Sequence, residues 1–274
     1  MSSPEPTVDR LTIYPIKSLD RRSVDSVSLV ENGGLAGDRE FALFDAEGEY
    51  VNGKRERRVH RIRADYEGDS ARIDAVALST AETEPQRFTA DQLADGGAAV
   101  DWLGERVGYP VSLARDPSGG FPDDTHASGP TVISTATIET VASWFDGIST
   151  DGMRRRLRAN IELGGVPAFW EDRLFADRDQ HIEFTIAETA VRGVNPCQRC
   201  VVPSRDPDTG AEYGGFQSTF VEKRRETMPE WSGGNWFDHD FRLMVNTMVP
   251  QSEWGETISV GDVVEVGRTV PAEE

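Results

Sequence analysis

Cysteine, lysine and histidine are all scarce in this chain. Its two cysteines, Cys197 and Cys200, are too few for a disulfide framework. Only Lys17, Lys54 and Lys223 among its 29 basic residues are lysines, and the other basic residues are arginines. The four histidines, His60, His126, His181 and His239, are scattered. No run approaches the roughly 18–20 apolar residues that a membrane span needs. The first eight residues, Met1 to Val8, carry no apolar signal segment, so the expected compartment is the cytoplasm. Acidic residues outnumber basic ones 48 to 29, and the net charge is -19. A chain that negative is a poor binder of nucleic acid or of an anionic membrane by bulk electrostatics.

What is present argues for a folded, soluble body. Hydrophobic residues make up 37%, with 6 Trp and 12 Phe, enough for a core and unlike a disordered chain. A length of 274 residues suits one large or two modest domains. The acidic excess with few lysines is expected of a halophilic protein, since concentrated salt screens self-repulsion.

Short strands dominate the pattern. Leu11 to Tyr14 reads as a strand stopped by Pro15, and Val24 to Val30 as one alternating strand. Glu40 to Phe44, Arg57 to Asp65 and Val111 to Arg115 read as further strands, with an antiparallel hairpin in 67–90 and a helix in 99–108. Asp116 to Pro130 is a loop crowded with Gly, Pro, Asp and Ser, which makes it the expected domain boundary. Beyond it, Thr131 to Ser134 is a strand, and Ser134 or Thr135 caps a helix through Ile138, Val141 and Phe145. Asn160 to Leu163, two strands in Glu183 to Val194, Phe241 to Met248 and Val263 to Val266 follow, with a helix at Phe216 to Arg225. Trp231 to Phe237 reads as a loop whose aromatics either pack or cover a site. Many short strands with few helices point to a β-rich α+β fold built on a β-barrel.

Cys197-Gln198-Arg199-Cys200 is the segment with chemistry in it. A zinc half-site would need further ligands from the scattered histidines. A redox pair of thioredoxin type would sit where a strand meets a helix. Two small buried residues are the plain reading. A single soft thiolate on a soft or borderline metal is the fourth, with Arg199 favouring the ionised sulfur.

Other segments bear on that choice. Tyr14-Pro15-Ile16-Lys17-Ser18, Gly37-Asp38-Arg39, Arg158-Ala159-Asn160, Phe169-Trp170-Glu171-Asp172, Asn195 to Cys200, Asp206 to Gly210 and Ile258 to Asp262 occur in this order. In that order and spacing the chain resembles the MOSC family, in the branch of the amidoxime-reducing components, over about residues 8–268. The resemblance implies a MOSC N-terminal β-barrel-like domain at 8–115 and a MOSC β-barrel domain at 116–268. It further implies a pterin-based molybdenum cofactor between the two, with Cys200 as the metal thiolate and the catalytic centre. Lys17, Ser18 and Arg39 would meet the cofactor's phosphate and pterin, together with Arg158, Asn160 and Arg199. Arginine's planar fork and lysine's point charge suit such a ligand. Asn160 could instead satisfy nearby backbone groups.

The expected activity is reduction of small N-hydroxylated substrates such as amidoximes or hydroxylamines. Some bacterial relatives carry a fused iron–sulfur domain with extra cysteines; this chain shows none, so a separate ferredoxin- or flavoprotein-type electron donor is expected. Ala159 stands where the family often has proline. The competing class is a carrier that holds the cofactor, or sulfur on Cys200, without turnover. Glu171 and Asp172 are expected to be structural carboxylates on an exposed turn, and Asp208 to stabilise its own turn.

Overall fold

The computed structural model describes residues 5–232 and 236–272. Its first stretch holds strands β1 (Thr7–Ile13), β2 (Arg22–Val24), β3 (Ser26–Ser28), β4 (Phe41–Phe44), β5 (Arg63–Glu67), β6 (Ala75–Thr80) and β7 (Thr83–Thr89). Helices α1 (Ala90–Ala94) and α2 (Ala98–Val107) lead to β8 (Ser112–Arg115). After the long loop come β9 (Val132–Ser134), α3 (Thr135–Ala142), α4 (Thr150–Leu157), β10 (Ile161–Gly164), β11 (Gln180–Ile186) and β12 (Thr189–Gln198). The chain closes with α5 (Phe216–Glu226), β13 (Arg242–Met248), β14 (Thr257–Ser259) and β15 (Val264–Pro271). The fold is the β-rich α+β class that the strand pattern anticipates.

One eight-stranded sheet runs β15-β11-β12-β13-β9-β10-β1-β2, with β9–β10 its parallel pair. It curls until its ends meet. The β3 strand pairs with β14, Thr7 bridges Val263, and the Val8 amide donates to the Asp262 carbonyl at 2.8 Å. Closure removes open edges and encloses an apolar core that includes Leu11, Val132, Ile161, Val191, Val245 and Ile258. A second core, with Phe41, Ile62, Val76, Phe88 and Leu103, lies under the β4–β8 pair and the β5–β7 sheet. A third joins α3, α4 and α5 to the barrel wall, where the Phe145 and Phe216 rings stack at 4.2 Å. The two sequence halves interlock, because β1 pairs with β10 and β3 with β14.

Local chemistry explains the elements. Pro15 lacks an N–H and ends β1. Ser134 caps α3 by accepting from the Thr137 amide at 3.1 Å, a contact typically worth about 1 kcal/mol. The Thr135 hydroxyl bonds instead to Asp9 at 3.1 Å. Gly108, in the left-handed conformation, ends α2.

Four stretches differ from their pattern. Residues 57–65 do not form one strand: Glu56 accepts from the Arg58 amide at 2.9 Å and caps a 3-10 turn at Arg57–Arg61, so β5 begins only at Arg63. Val24 to Val30 breaks at Asp25, because β2 and β3 serve different partners, β1 and β14. Helices α1 and α4 carry too few apolar residues for a clear period. Three consecutive arginines in α4 conceal one that turns inward: Arg156 is 6% exposed.

Candidate active-site cleft

A cleft of about 1050 Å³ opens between the part of the chain that holds β4–β8 and the barrel. Its walls carry all seven residues singled out in the sequence: Lys17, Ser18, Arg39, Arg158, Asn160, Arg199 and Cys200. Among the described residues, ten basic and six acidic side chains line it, in a protein whose net charge is -19. The cleft is therefore a cationic patch in an acidic molecule, which focuses attraction on anions.

Lys17 and Arg39 come from neighbouring backbone stretches. The Arg39 amide donates to the Tyr14 carbonyl at 2.9 Å, and the Lys17 amide to the Phe41 carbonyl at 2.7 Å. The turn into Arg39 needs glycine: Gly37 has φ +71, and a Cβ there would lie 2.4 Å from the Ala71 carbonyl oxygen. Ser18 (φ 74), Arg39 (φ 51) and Arg158 (φ 61) all adopt the left-handed conformation, which is disfavoured for such residues and is found where structure holds functional groups in place. Arg158 is the C-cap of α4, a place usually given to glycine. There its guanidinium lies 4.0 Å from the centre of the Tyr14 ring and donates to the Leu19 carbonyl at 2.9 Å. It makes no salt bridge among the described residues. Burial pushes its pKa down, while Tyr14 opposes the shift.

Lys17 donates to Asp123 at 2.5 Å and to the Phe121 carbonyl at 2.8 Å, and Arg39 pairs with Asp38. Burial lowers the Lys17 pKa against the pull of Asp123. Burial also works against charge on Arg39, but Asp38 and Asp123 outweigh it and raise its pKa. Crowding by protein tends to raise Asp123, yet Arg39 and Lys17 hold its carboxyl down to about 2. Because that side chain is 73% exposed, the two cations rather than desolvation set its state.

Asn160 and Ser18 are more structural. Asn160 is 1% exposed; it accepts from the Thr131 amide and hydroxyl and donates to the Thr12 carbonyl at 3.1 Å, tying β1 to the strands beside it. The Ser18 hydroxyl accepts from the Gly53 amide at 3.2 Å. Gly53 was not apparent in the sequence. Its carbonyl accepts from Arg205 at 2.6 Å and lies 3.1 Å from His60 Nε2, and a Cβ on it would sit 2.8 Å from that nitrogen. It links the Ser18 wall to the segment that follows Cys200.

Cys197 is the last residue but one of β12 and Cys200 lies beyond the strand; both are free and half-buried. No α-helix begins at the pair, which removes the thioredoxin-type setting. Among the described residues no group of three or more His, Cys, Asp or Glu could hold a metal ion, so a zinc half-site is not assembled. Arg199 donates to the Leu157 carbonyl at 3.0 Å and approaches Cys197 Sγ at 3.2 Å. Its guanidinium thus faces the first cysteine, not Cys200, on which the resemblance places the metal thiolate. The Cys200 thiol makes no hydrogen bond among the described residues.

Two turn expectations change. Asp206, not Asp208, accepts from the 208 and 209 amides and makes the turn. Asp208 instead clasps Arg155 of α4 at 2.6 Å and Arg63 of β5 at 3.0 Å, across the cleft mouth. Of the aromatic loop, Phe237 lines the cleft; Trp231 and Trp236 donate to the Phe169 and Ala176 carbonyls elsewhere, and residues 233–235 lie outside the described residues.

Residues 5–109 match the MOSC N-terminal beta barrel domain. Mitochondrial amidoxime reducing component 2 of Bos taurus is 25% identical over 235 residues, which cover 74% of this chain and 68% of that protein. The crystal structure of the YUAD protein from Bacillus subtilis aligns over 98% of this chain and 97% of that one, at 11% identity and a TM-score of 0.37, too loosely to transfer detail. No helix among the described residues is long and apolar enough to cross a membrane. The chain is thus similar to the MOSC N-terminal beta barrel domain over residues 5–109 and to mitochondrial amidoxime reducing component 2 over most of its length.

Proposed function

We propose that the cleft holds a pterin-based molybdenum cofactor and that the protein uses it to reduce N-hydroxylated substrates of the amidoxime or hydroxylamine type. The observation that carries this reading is the convergence of Lys17, Arg39, Arg158 and Cys200 on one cationic cleft. The residues fit the group. A half-buried Arg158 without a salt bridge among the described residues suits a ligand bearing an anion, and about 1050 Å³ suits a ligand of cofactor size. Cys200 offers a half-buried thiol free of hydrogen bonds as a soft ligand.

When bound, the cofactor supplies a metal centre that changes oxidation state. The protein's own part is to hold and shield it. Lys17 and Arg39 would bind the phosphate, with Ser18 beside them, and Arg158 would hold the pterin with its fork oriented by Tyr14. Asn160 would act mainly by fixing β1 against β10, and Arg199 by holding the cysteine segment against α4. Electrons would come from a separate protein of ferredoxin or flavoprotein type. The part at 8–115 and the part at 116–268 would then be two domains that share one ligand.

The test is metal and pterin analysis of the purified protein with turnover of benzamidoxime, for the wild type, Cys200→Ser and Cys197→Ser. About one molybdenum per chain with pterin is expected. Cys200→Ser should abolish turnover, since a hydroxyl is a harder and far less acidic ligand, and Cys197→Ser should keep most of it. Equal loss in both variants would overturn the single-thiolate assignment. Stoichiometric zinc without pterin would overturn the whole reading, and a loaded protein inactive on several N-hydroxy compounds would favour a carrier.

A further inference from the structure

The two cations assigned to an anionic group already share one carboxylate of the chain itself. Asp123 Oδ1 lies 2.5 Å from Lys17 Nζ, and Asp123 Oδ2 lies 3.6 Å from Arg39 Nε. The partners are buried very unequally. The Lys17 and Arg39 side chains are 6% and 15% exposed, whereas Asp123 is 73% exposed. Their anchoring differs in the same sense. Lys17 is also held by the Phe121 carbonyl, and Arg39 by Asp38. The Asp123 carboxylate has no hydrogen bond among the described residues other than the one from Lys17.

Asp123 sits on a short span between two fixed points of the loop. At one end the Phe121 amide donates to the Arg39 carbonyl at 2.9 Å. At the other, the Gly129 amide donates to the Thr247 carbonyl at 2.9 Å, and the Ser128 hydroxyl bonds to the Asn32 carbonyl at 2.5 Å. Between them Asp124 makes a local turn by accepting from the His126 and Ala127 amides. Residues 122–127 belong to none of the three apolar cores, although Ala127 is 6% exposed.

We propose that Asp123 competes with the ligand's phosphate-type group for Lys17 and Arg39, and that residues 122–127 swing aside as the anion enters. A carboxylate brings one negative charge and two oxygens. A phosphate monoester brings up to two charges and three oxygens, and so displaces it. The competitor keeps two buried cations neutralised, and it raises the threshold for weakly charged anions, which gives selectivity. In naming the anion as a cofactor phosphate, this proposal rests on the function proposed above; the competition itself does not.

The test is calorimetric titration of inorganic phosphate into the full chain purified from a host that cannot make the cofactor. Asp123→Asn should bind phosphate about tenfold more tightly than the wild type, because a competing closed state is removed. Asp123→Glu should stay near wild type, and Lys17→Met should weaken binding. Asp123 is exposed, so the Asn variant is expected to melt within a few degrees of the wild type, as calorimetry will check. In parallel, phosphate should speed amide exchange at 122–127 in the wild type. Equal or weaker binding by Asp123→Asn, or no binding by either protein, overturns the proposal. If Asp123→Asn binds more tightly but the native protein holds neither molybdenum nor pterin, the cofactor reading falls and the competition stands. Cofactor in the native protein with no gain from Asp123→Asn has the opposite meaning.

Discussion

Two clusters of charge in this protein behave oppositely. One is the cleft set of Lys17, Arg39, Arg158 and Asp123. The other is Glu171, Asp172 and Arg224, whose residues are 0%, 1% and 1% exposed and do not line the cleft. In the closed cluster Arg224 is paired with Asp172 and lies 4.4 Å from the centre of the Phe169 ring. Glu171 accepts from the Ser134 amide at 3.2 Å and the Thr137 hydroxyl at 3.0 Å. Arg224 and Asp172 answer each other's charge, although Arg224 Nε and Nη1 and Glu171 Oε1 have no hydrogen-bond partner among the described residues. In the cleft, Arg158 makes no salt bridge among the described residues and Lys17 relies on an exposed carboxylate. Backbone strain does not separate the two, since Phe169 is left-handed as well as Ser18, Arg39 and Arg158. Burial or strain alone therefore does not single out a candidate site; a cation on a cleft wall without a countercharge of its own does. The structure also corrects the exposed turn expected at Glu171 and Asp172: both are interior, although structural as expected.

The largest difference should appear on breaking one pair in each cluster. Asp172→Asn leaves the Arg224 guanidinium buried without its carboxylate and should cost about 3–5 kcal/mol in urea unfolding. Lys17→Met removes a pair whose acid is 73% exposed and should cost only about 0–1 kcal/mol, while pterin content drops. Similar losses of stability in both would erase the contrast.

The next effect is pH-dependent. Burial, aided by the charge of Asp172, raises Glu171 from 4.5 to about 7. The folded state then holds a proton that the unfolded chain releases, so this group's stabilisation is present below about 4.5 and is lost as pH rises through about 7. Glu171→Gln should remove up to about 3 kcal/mol of that decline, read from unfolding at pH 5 and pH 8. Asp123 is shifted the other way, so its smaller contribution fades only as pH falls toward about 2. A wild type and Glu171→Gln variant with parallel pH profiles would refute a protonated Glu171.

The smallest effect separates the cleft from the rest of the surface. Raising salt from 0.1 to 1 M shortens the screening length from about 10 Å to about 3 Å. The melting temperature should rise by several degrees as repulsion among the excess acidic residues is screened, while phosphate binding in the cationic cleft weakens. A flat or falling melting temperature would count against salt adaptation.

Much of the fold was legible because its signals are local. Pro15, the Ser134 cap and the apolar face of α2 each act within a few residues. The turn at 57–61 was misread because the Glu56 cap competes with an alternating pattern, and α4 was missed because its arginines hide which one faces inward. The candidate site was legible as separate motifs. Gly53 and Asp123 were not, since an Asn-Gly turn and an aspartate in a polar loop look like ordinary surface.

The sequence by itself determined the β-rich class, the scarcity of lysine that makes Lys17 stand out, and the chemical types available to a site. Tertiary structure alone decided that Lys17 meets Asp123 across 106 residues and that Arg158 reaches Leu19 across 139. It also decided that Glu171 and Asp172 are interior and that Arg199 faces Cys197 rather than Cys200. The physical reason is range. Turns, caps and periodicity are set by neighbours a few residues away, whereas burial and charge pairing depend on which distant strands the closed barrel brings together.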